Sequence, residues 1–182
     1  MRKAIVLTIL AVTVVATVSF AYYEDSKSNE KESTAIVVGS CPYTFVSWNL
    51  ENFGRKKTDG AIEEMAETVC RKADIIAVQE VVTGKEFGAQ AIAKLAEACS
   101  RKGKEWGYIT SDPTSPKNSE TEAYAFLYNK SVASINQKQP HLVKELEEKI
   151  SREPYTAIFQ MKHGEALSVY TMHAVPTKKF PI

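Results

Sequence analysis

The run Asp74-Ile75-Ile76-Ala77-Val78, ending in Gln79-Glu80, constrains this chain more than any other segment. Its apolar residues do not alternate with polar ones, so it reads as a strand covered on both faces. Stretches of helical spacing flank it. Across residues 59–73, Ala61, Ile62, Met65, Ala66, Val69 and Cys70 recur at helical intervals, with Thr58 or Asp59 as the cap. Across residues 86–100, Ala91, Ile92, Leu95, Ala96 and Cys99 form one stripe, and Gly103 supplies a stop. A doubly covered strand between two one-sided helices calls for a layered α/β domain.

The remaining periodicity adds sheet. Residues 43–50 form a short apolar and β-branched run that reads as a strand, and 106–111, 123–128, 154–161 and 166–173 read likewise. Lys162-His163-Gly164-Glu165 is a turn between the last two. Residues 112–121 are rich in Pro, Ser and Asn and read as a long loop, and 141–150 as a short amphipathic helix carried by a loop. No internal repeat is present. Alternating helices and strands come first, antiparallel strands follow, and sheets are expected at the centre.

The N-terminus has a separate character. Met1-Arg2-Lys3 precedes a charge-free stretch from Ala4 to Ala21, and Ser19-Phe20-Ala21 places small residues at −3 and −1. This reads as a secretory leader cleaved after Ala21, against the alternative of an uncleaved anchor. The expected organisation is a leader over 1–21, a polar spacer over 22–40 and a domain over 41–182, the protein being secreted or periplasmic and free of membrane once cleaved. The net charge is +1 over 182 residues, and without Arg2 and Lys3 it turns slightly negative. A single-sign electrostatic attraction for nucleic acid is excluded, so any such binding must come from local arrangement.

Three cysteines, Cys41, Cys70 and Cys99, contain no C-x-x-C pair, which argues against a zinc site. An exported protein meets an oxidising compartment. A Cys70–Cys99 bridge is open if their helices are neighbours, and buried thiols are the other reading.

Polar clusters sit at strand ends: Ser47-Trp48-Asn49-Leu50-Glu51-Asn52-Phe53, Val78-Gln79-Glu80-Val81, Glu120-Thr121-Glu122-Ala123-Tyr124, and Ser151-Arg152-Glu153-Pro154 with Met172-His173-Ala174. Active sites on sheet scaffolds gather at one end of the strands. Singly, each has an ordinary reading. Glu80 is then a solvated strand end, His173 a surface histidine, Asn49 a turn residue, and Arg152 part of a surface ion pair with its neighbour. The charges over 145–149 read as a solvated helix face.

Taken in order, W-N-L-x-N-F, a helix, D-I-I-A-V-Q-E-V, E-x-Y-A-F-L-Y, S-R-E-P and a strand ending in M-H resemble the endonuclease/exonuclease/phosphatase superfamily, most of all its deoxyribonuclease I-like branch and related secreted bacterial nucleases. The resemblance covers residues 43–178. It implies a four-layer αββα sandwich with the active site at one edge of two packed sheets. It implies that Glu80 binds an essential divalent cation, Mg²⁺ with Mn²⁺ or Ca²⁺ as alternatives, with Asn49 beside it and the scissile phosphate. It implies acid/base work for His173, orientation of that histidine by Glu122, and phosphate contact by Arg152. Tyr124 matches a family tyrosine and reads as structural. These are suitable types for phosphodiester hydrolysis, which must neutralise phosphoryl charge, activate water and protonate an alkoxide.

Two positions depart from the family pattern. Val82 stands where an arginine reaches into the DNA minor groove, and Glu120 where a tyrosine stacks on a sugar. No Gly-Asp-x-Asn segment or late Asp-His pair follows His173. The expectation is therefore the N-terminal part of a longer exported, largely nonspecific DNA endonuclease, bound to the DNA backbone without sequence preference and with no stable protein partner. The chain by itself is expected to be inactive. The alternatives are an exported phosphodiesterase or phosphatase of lipids or small diesters, and a non-catalytic or truncated product.

Overall fold

The computed structural model describes residues 4–8, 19–21, 38–40, 43–54, 57–84, 87–115, 121–136, 138–147 and 149–174. Of the expected leader and spacer it describes β1 (Ala4–Thr8), β2 (Ser19–Ala21) and β3 (Val38–Ser40), the last two paired antiparallel. Cys41 and Glu120 lie outside the described residues, as do 175–182.

The first sheet holds β4 (Phe45–Phe53), β5 (Ile75–Val81), β6 (Trp106–Thr110) and β7 (Ala123–Asn129) in the order β4-β5-β7-β6. β4 and β5 run parallel, and β7 pairs antiparallel with both β5 and β6. The unbroken apolar run of β5 is buried on both faces, as its pattern demands, and β7 is buried throughout. Two helices cover one face: α1 (Asp59–Val69) and α2 (Gly88–Ser100). Thr58 caps α1 by accepting from the Ala61 N–H at 3.2 Å. Ile62 and Ala66 of α1, with Ala91, Ile92, Leu95 and Ala96 of α2, pack on Ile76, Val78, Ala125 and Leu127. The apolar stripes read from spacing are the buried faces.

The second sheet contains β8 (Ala133–Ile135), β9 (His141–Leu142), β10 (Tyr155–Met161) and β11 (Ala166–Thr171), with β10 paired to β8, β9 and β11, and β1 running parallel beside β11. Its inner face meets the other face of the first sheet. Phe126 stacks on Tyr155 at 5.4 Å between centroids and meets Phe159 edge-on at 5.6 Å. Such pairs add about 1 kcal/mol each beyond area burial. The described residues thus form three layers, helix, sheet and sheet, of the expected four-layer mixed α/β sandwich.

Cys70 and Cys99 are bridged, with their Cα atoms 5.4 Å apart, which settles the open cysteine reading in favour of the bond. It ties the end of α1 to α2 beneath a surface net of Arg101–Glu63 and Lys102–Glu67 ion pairs. Among the described residues no helix is long and apolar enough to cross a membrane.

One local reading is corrected, and one short strand was not anticipated. Residues 141–150 do not form a helix: β9 and a 3₁₀ turn at Lys144–Leu146 replace it. Leu142 is drawn under the sheet, where it pairs with Tyr155, and Val143 N–H donates to the Pro154 carbonyl. Tertiary pairing here outweighs a weak helical preference. β8, of three residues, carries too little pattern to stand out within a loop.

Candidate active site

Asn49 and Glu80 leave their strands in an unusual way. β4 and β5 are in register up to Asn49 opposite Gln79, then slip before Phe53 meets Val81. The β5–β7 register slips between Val78 and Val81. Glu51, Asn52 and Glu80 have φ of 46°, 51° and 59°. Bulges of this kind bend a strand and re-aim its side chains, and each non-glycine residue held there costs on the order of 1 kcal/mol. The displaced groups satisfy one another. Asn49 Nδ2 donates to Glu80 Oε1 at 2.7 Å, Asn52 N–H donates to Glu80 Oε2 at 3.2 Å, and Glu51 N–H donates to Asn49 Oδ1 at 2.9 Å.

His173, just past β11, enters from the other sheet. Its Nδ1 lies 2.9 and 3.2 Å from the two oxygens of Glu122, which immediately precedes β7. Its Nε2 lies 3.5 Å from Glu80 Oε1. Arg152 closes the group: its Nε is 3.7 Å from Glu122 Oε2 and its Nη1 is 3.1 Å from His173 Nδ1. Two carboxylate oxygens at Nδ1 favour the tautomer with the proton there, donated to Glu122; Arg152 Nη1, itself only a donor, then lies beside Nδ1 as a neighbouring group and not as its hydrogen-bond partner. Nε2 is then the nitrogen able to accept a proton. Burial pushes the Glu122 carboxyl above its ordinary range, partly offset by the hydrogen bond to His173 and the charge of Arg152.

All five residues singled out by sequence, Asn49, Glu80, Glu122, Arg152 and His173, therefore meet at one edge of the two sheets. The ordinary reading of Arg152, a surface ion pair with its neighbour Glu153, does not describe these two residues. Glu153 is 1% exposed and turns inward to accept from Ser115 N–H at 2.9 Å and Lys144 Nζ at 2.9 Å. A fixed loop results, since Thr114 N–H donates to the Glu122 carbonyl at 2.8 Å. Arg152 is thereby left to face Glu122 and His173. Tyr124 is fully buried, as a structural residue should be, and its hydroxyl accepts from His173 N–H at 3.3 Å. Burial and the nearby Glu122 push its phenol far up, so it stays neutral.

Sequence reading named Gln79 only as a member of a polar cluster and missed Thr171. Gln79 Nε2 donates to Thr171 Oγ1 at 2.6 Å and to Ser47 Oγ at 3.2 Å. Thr171, at the end of an apolar strand, carried no signal of its own. A buried glutamine inside an otherwise apolar strand was the available signal.

The donor set suits a hard cation. Glu80 offers two carboxylate oxygens whose hydrogen bonds leave lone pairs over, and Asn49 sits beside them. Among the described residues no three His, Cys, Asp or Glu side chains form a metal cage. Mg²⁺ is commonly held by one or two carboxylates while keeping its waters, so a single carboxylate fits it better than it fits zinc. Next to the site lies an open groove of about 380 Å³, lined among others by Val81, Val82, Thr83, Phe87, Ser111 and Ala123. Phe87 is 61% exposed.

No family model matches the chain. The sequence is similar to deoxyribonuclease-1-like 2 of Mus musculus, 28% identical over 144 residues, a match spanning 77% of this chain and 50% of that protein. Among solved structures it is similar to an endonuclease/exonuclease/phosphatase family protein from Leptotrichia buccalis C-1013-b, at a TM-score of 0.47 and 13% identity, over 72% of this chain and 52% of that one. The chain spans about half the length of these relatives. The resemblance to deoxyribonuclease I-like proteins, drawn from the order of its motifs, holds against the mouse relative.

Proposed function

We propose that the whole protein carrying this chain is an exported, divalent-metal-dependent phosphodiesterase whose principal substrate is DNA, cut without strong sequence preference. The observation that carries this reading is the meeting of Asn49, Glu80, Glu122, Arg152 and His173, from five separate strand regions, within hydrogen-bond or ion-pair distance. The similarity to a protein named as deoxyribonuclease-like supports the substrate class.

Each residue has work suited to its place. Glu80, steadied by Asn49, would hold Mg²⁺, with Mn²⁺ or Ca²⁺ as substitutes. When bound, the cation neutralises negative charge on the phosphoryl oxygens. Arg152 offers a planar guanidinium to the phosphate. His173 moves a proton through Nε2, and Glu122 holds the ring and stabilises its charged form through Nδ1. The disulfide between Cys70 and Cys99 supports export, because such bonds persist in oxidising compartments.

The test is plasmid nicking by the whole protein, with and without Mg²⁺. His173→Ala is expected to lower the rate at least a hundredfold, as loss of a general acid or base does. An unchanged rate would overturn the assignment. A second reading, hydrolysis of lipid or small phosphodiesters, is favoured by one observation: Val82, not an arginine, lines the groove beside Glu80. Assaying a lipid diester beside the plasmid separates the two. No turnover of either substrate, at high protein concentration, would favour a non-catalytic product.

A further inference from the structure

We infer that Gln79 is a positioning residue that sets the spacing between the Asn49–Glu80 pair, carried by the first sheet, and His173, carried by the second. The inference rests on the proposed phosphodiesterase reading for its kinetic consequence, and on geometry alone for its structural one.

The pair and the histidine belong to different sheets. Glu80 is carried by β5, and His173 follows β11. Sheets packed face to face are held by apolar side chains, which resist separation but define lateral position only loosely. A directional bond between them defines it well. Gln79 supplies one such bond, beside those that His173 makes to Glu122 and Tyr124: from β5 its amide nitrogen reaches Thr171 Oγ1 on β11 at 2.6 Å. The same nitrogen lies 3.2 Å from Ser47 Oγ on β4. Gln79 is one residue before Glu80, Thr171 two before His173, and Ser47 two before Asn49. One amide thus touches all three strands that present these groups, one or two residues upstream of each.

The cost of this arrangement argues for its purpose. Gln79 is 1% exposed, and its Oε1 has no hydrogen-bond partner among the described residues. A half-satisfied buried amide is a poor way to stabilise a core, where an apolar side chain of similar volume serves as well or better. It is a good way to lock a register, since misplacing reacting groups by about 1 Å can cost a hundredfold in rate.

The test uses the whole protein and four variants: Gln79→Met, Thr171→Val, Thr171→Ser and the double Gln79→Met with Thr171→Val. Plasmid nicking and thermal unfolding are measured on each, and crystal structures are compared for wild type and Gln79→Met. Each single apolar change is expected to lower kcat ten- to a hundredfold with KM within about twofold, while Thr171→Ser keeps wild-type turnover. The double variant removes both partners, so its stability should return close to wild type while kcat stays low. The distance from His173 Nε2 to Glu80 Oε1, 3.5 Å here, should shift by more than about 0.5 Å in Gln79→Met. Recovery of kcat together with stability in the double variant would make Gln79 merely structural and overturn the inference. So would an unmoved site in the crystal. If the wild type hydrolyses no diester, the proposed function fails, and the crystal comparison still decides the role of Gln79.

Discussion

Glu122 Oε2 and His173 Nδ1 stand 2.9 Å apart across 51 residues of chain, one entering β7 of the first sheet and the other leaving β11 of the second. The pair can form only when the two sheets pack. The orientation of His173 is therefore a property of the sandwich rather than of either sheet.

Replacing Glu122 by Gln should separate activity from stability. Burial holds the Glu122 carboxyl above the ordinary 4.5. Its ionised form therefore costs the folded state at pH values above that range, and the cost disappears as pH falls below the ordinary value. Glu122→Gln is expected to unfold at the same or a higher temperature than wild type at pH 8, with the difference closing toward pH 4. Its turnover should fall by about a hundredfold. Calorimetry at the two pH values, beside plasmid nicking, reads both effects.

Glu153 should behave in the opposite sense. Burial works against its charge, but hydrogen bonds from Ser115 and Lys144 outweigh burial and hold the carboxyl at about 2. Stability from this group is present above the ordinary 4.5 and is lost as pH falls from there toward 2. Glu153→Gln is expected to cost on the order of 2 kcal/mol at pH 7, the scale of hydrogen bonds to a buried charge. Urea titrations at pH 7 and pH 3 should show the gap narrowing. Equal gaps would mean that the carboxylate is not the source. Slower turnover is also expected, because Glu153 fixes the loop whose Thr114 frames Glu122.

Asn49→Ala should weaken the proposed metal site at Glu80. Asn49 is the side chain that donates to Glu80 Oε1, and removing such a supporting bond commonly lowers metal affinity by about 10–100-fold. The Mg²⁺ concentration giving half-maximal nicking should rise accordingly, with saturating Mg²⁺ restoring part of the rate. EDTA should abolish activity in both proteins. Activity that survives EDTA would remove metal from the proposal.

Reduction of Cys70–Cys99 should destabilise the helical layer without dismantling the site. The bridge closes a loop with a sequence separation of 29, which corresponds to roughly 3 kcal/mol in the chain-entropy account. A Cys70→Ser, Cys99→Ser variant is expected to unfold at a lower temperature and still turn over at 25 °C. An unchanged unfolding temperature would show that helix packing alone carries that layer.

The parts of this molecule that the sequence disclosed are those where one rule dominates. The run 75–78 is buried on both faces because nothing polar interrupts it, and Ala91, Ile92, Leu95 and Ala96 face the sheet because their spacing leaves no other choice. The five site residues were legible as an ordered set and not singly, since their meeting depends on sheet packing across long stretches of chain. What escaped was decided by partners far away. Residues 141 and 142 were claimed by β10, Glu153 found Ser115 and Lys144 inside, and Gln79 found a threonine on the other sheet. No local pattern encodes these pairings.

Glu80 holds a backbone angle, φ 59°, that glycine would adopt at no cost. The relaxed form of this strand is consequently one that has discarded its carboxylate. Libraries sorted for heat resistance alone would drift toward chains that are sturdier and inert. Selection that scores turnover alongside melting is needed to keep the two together.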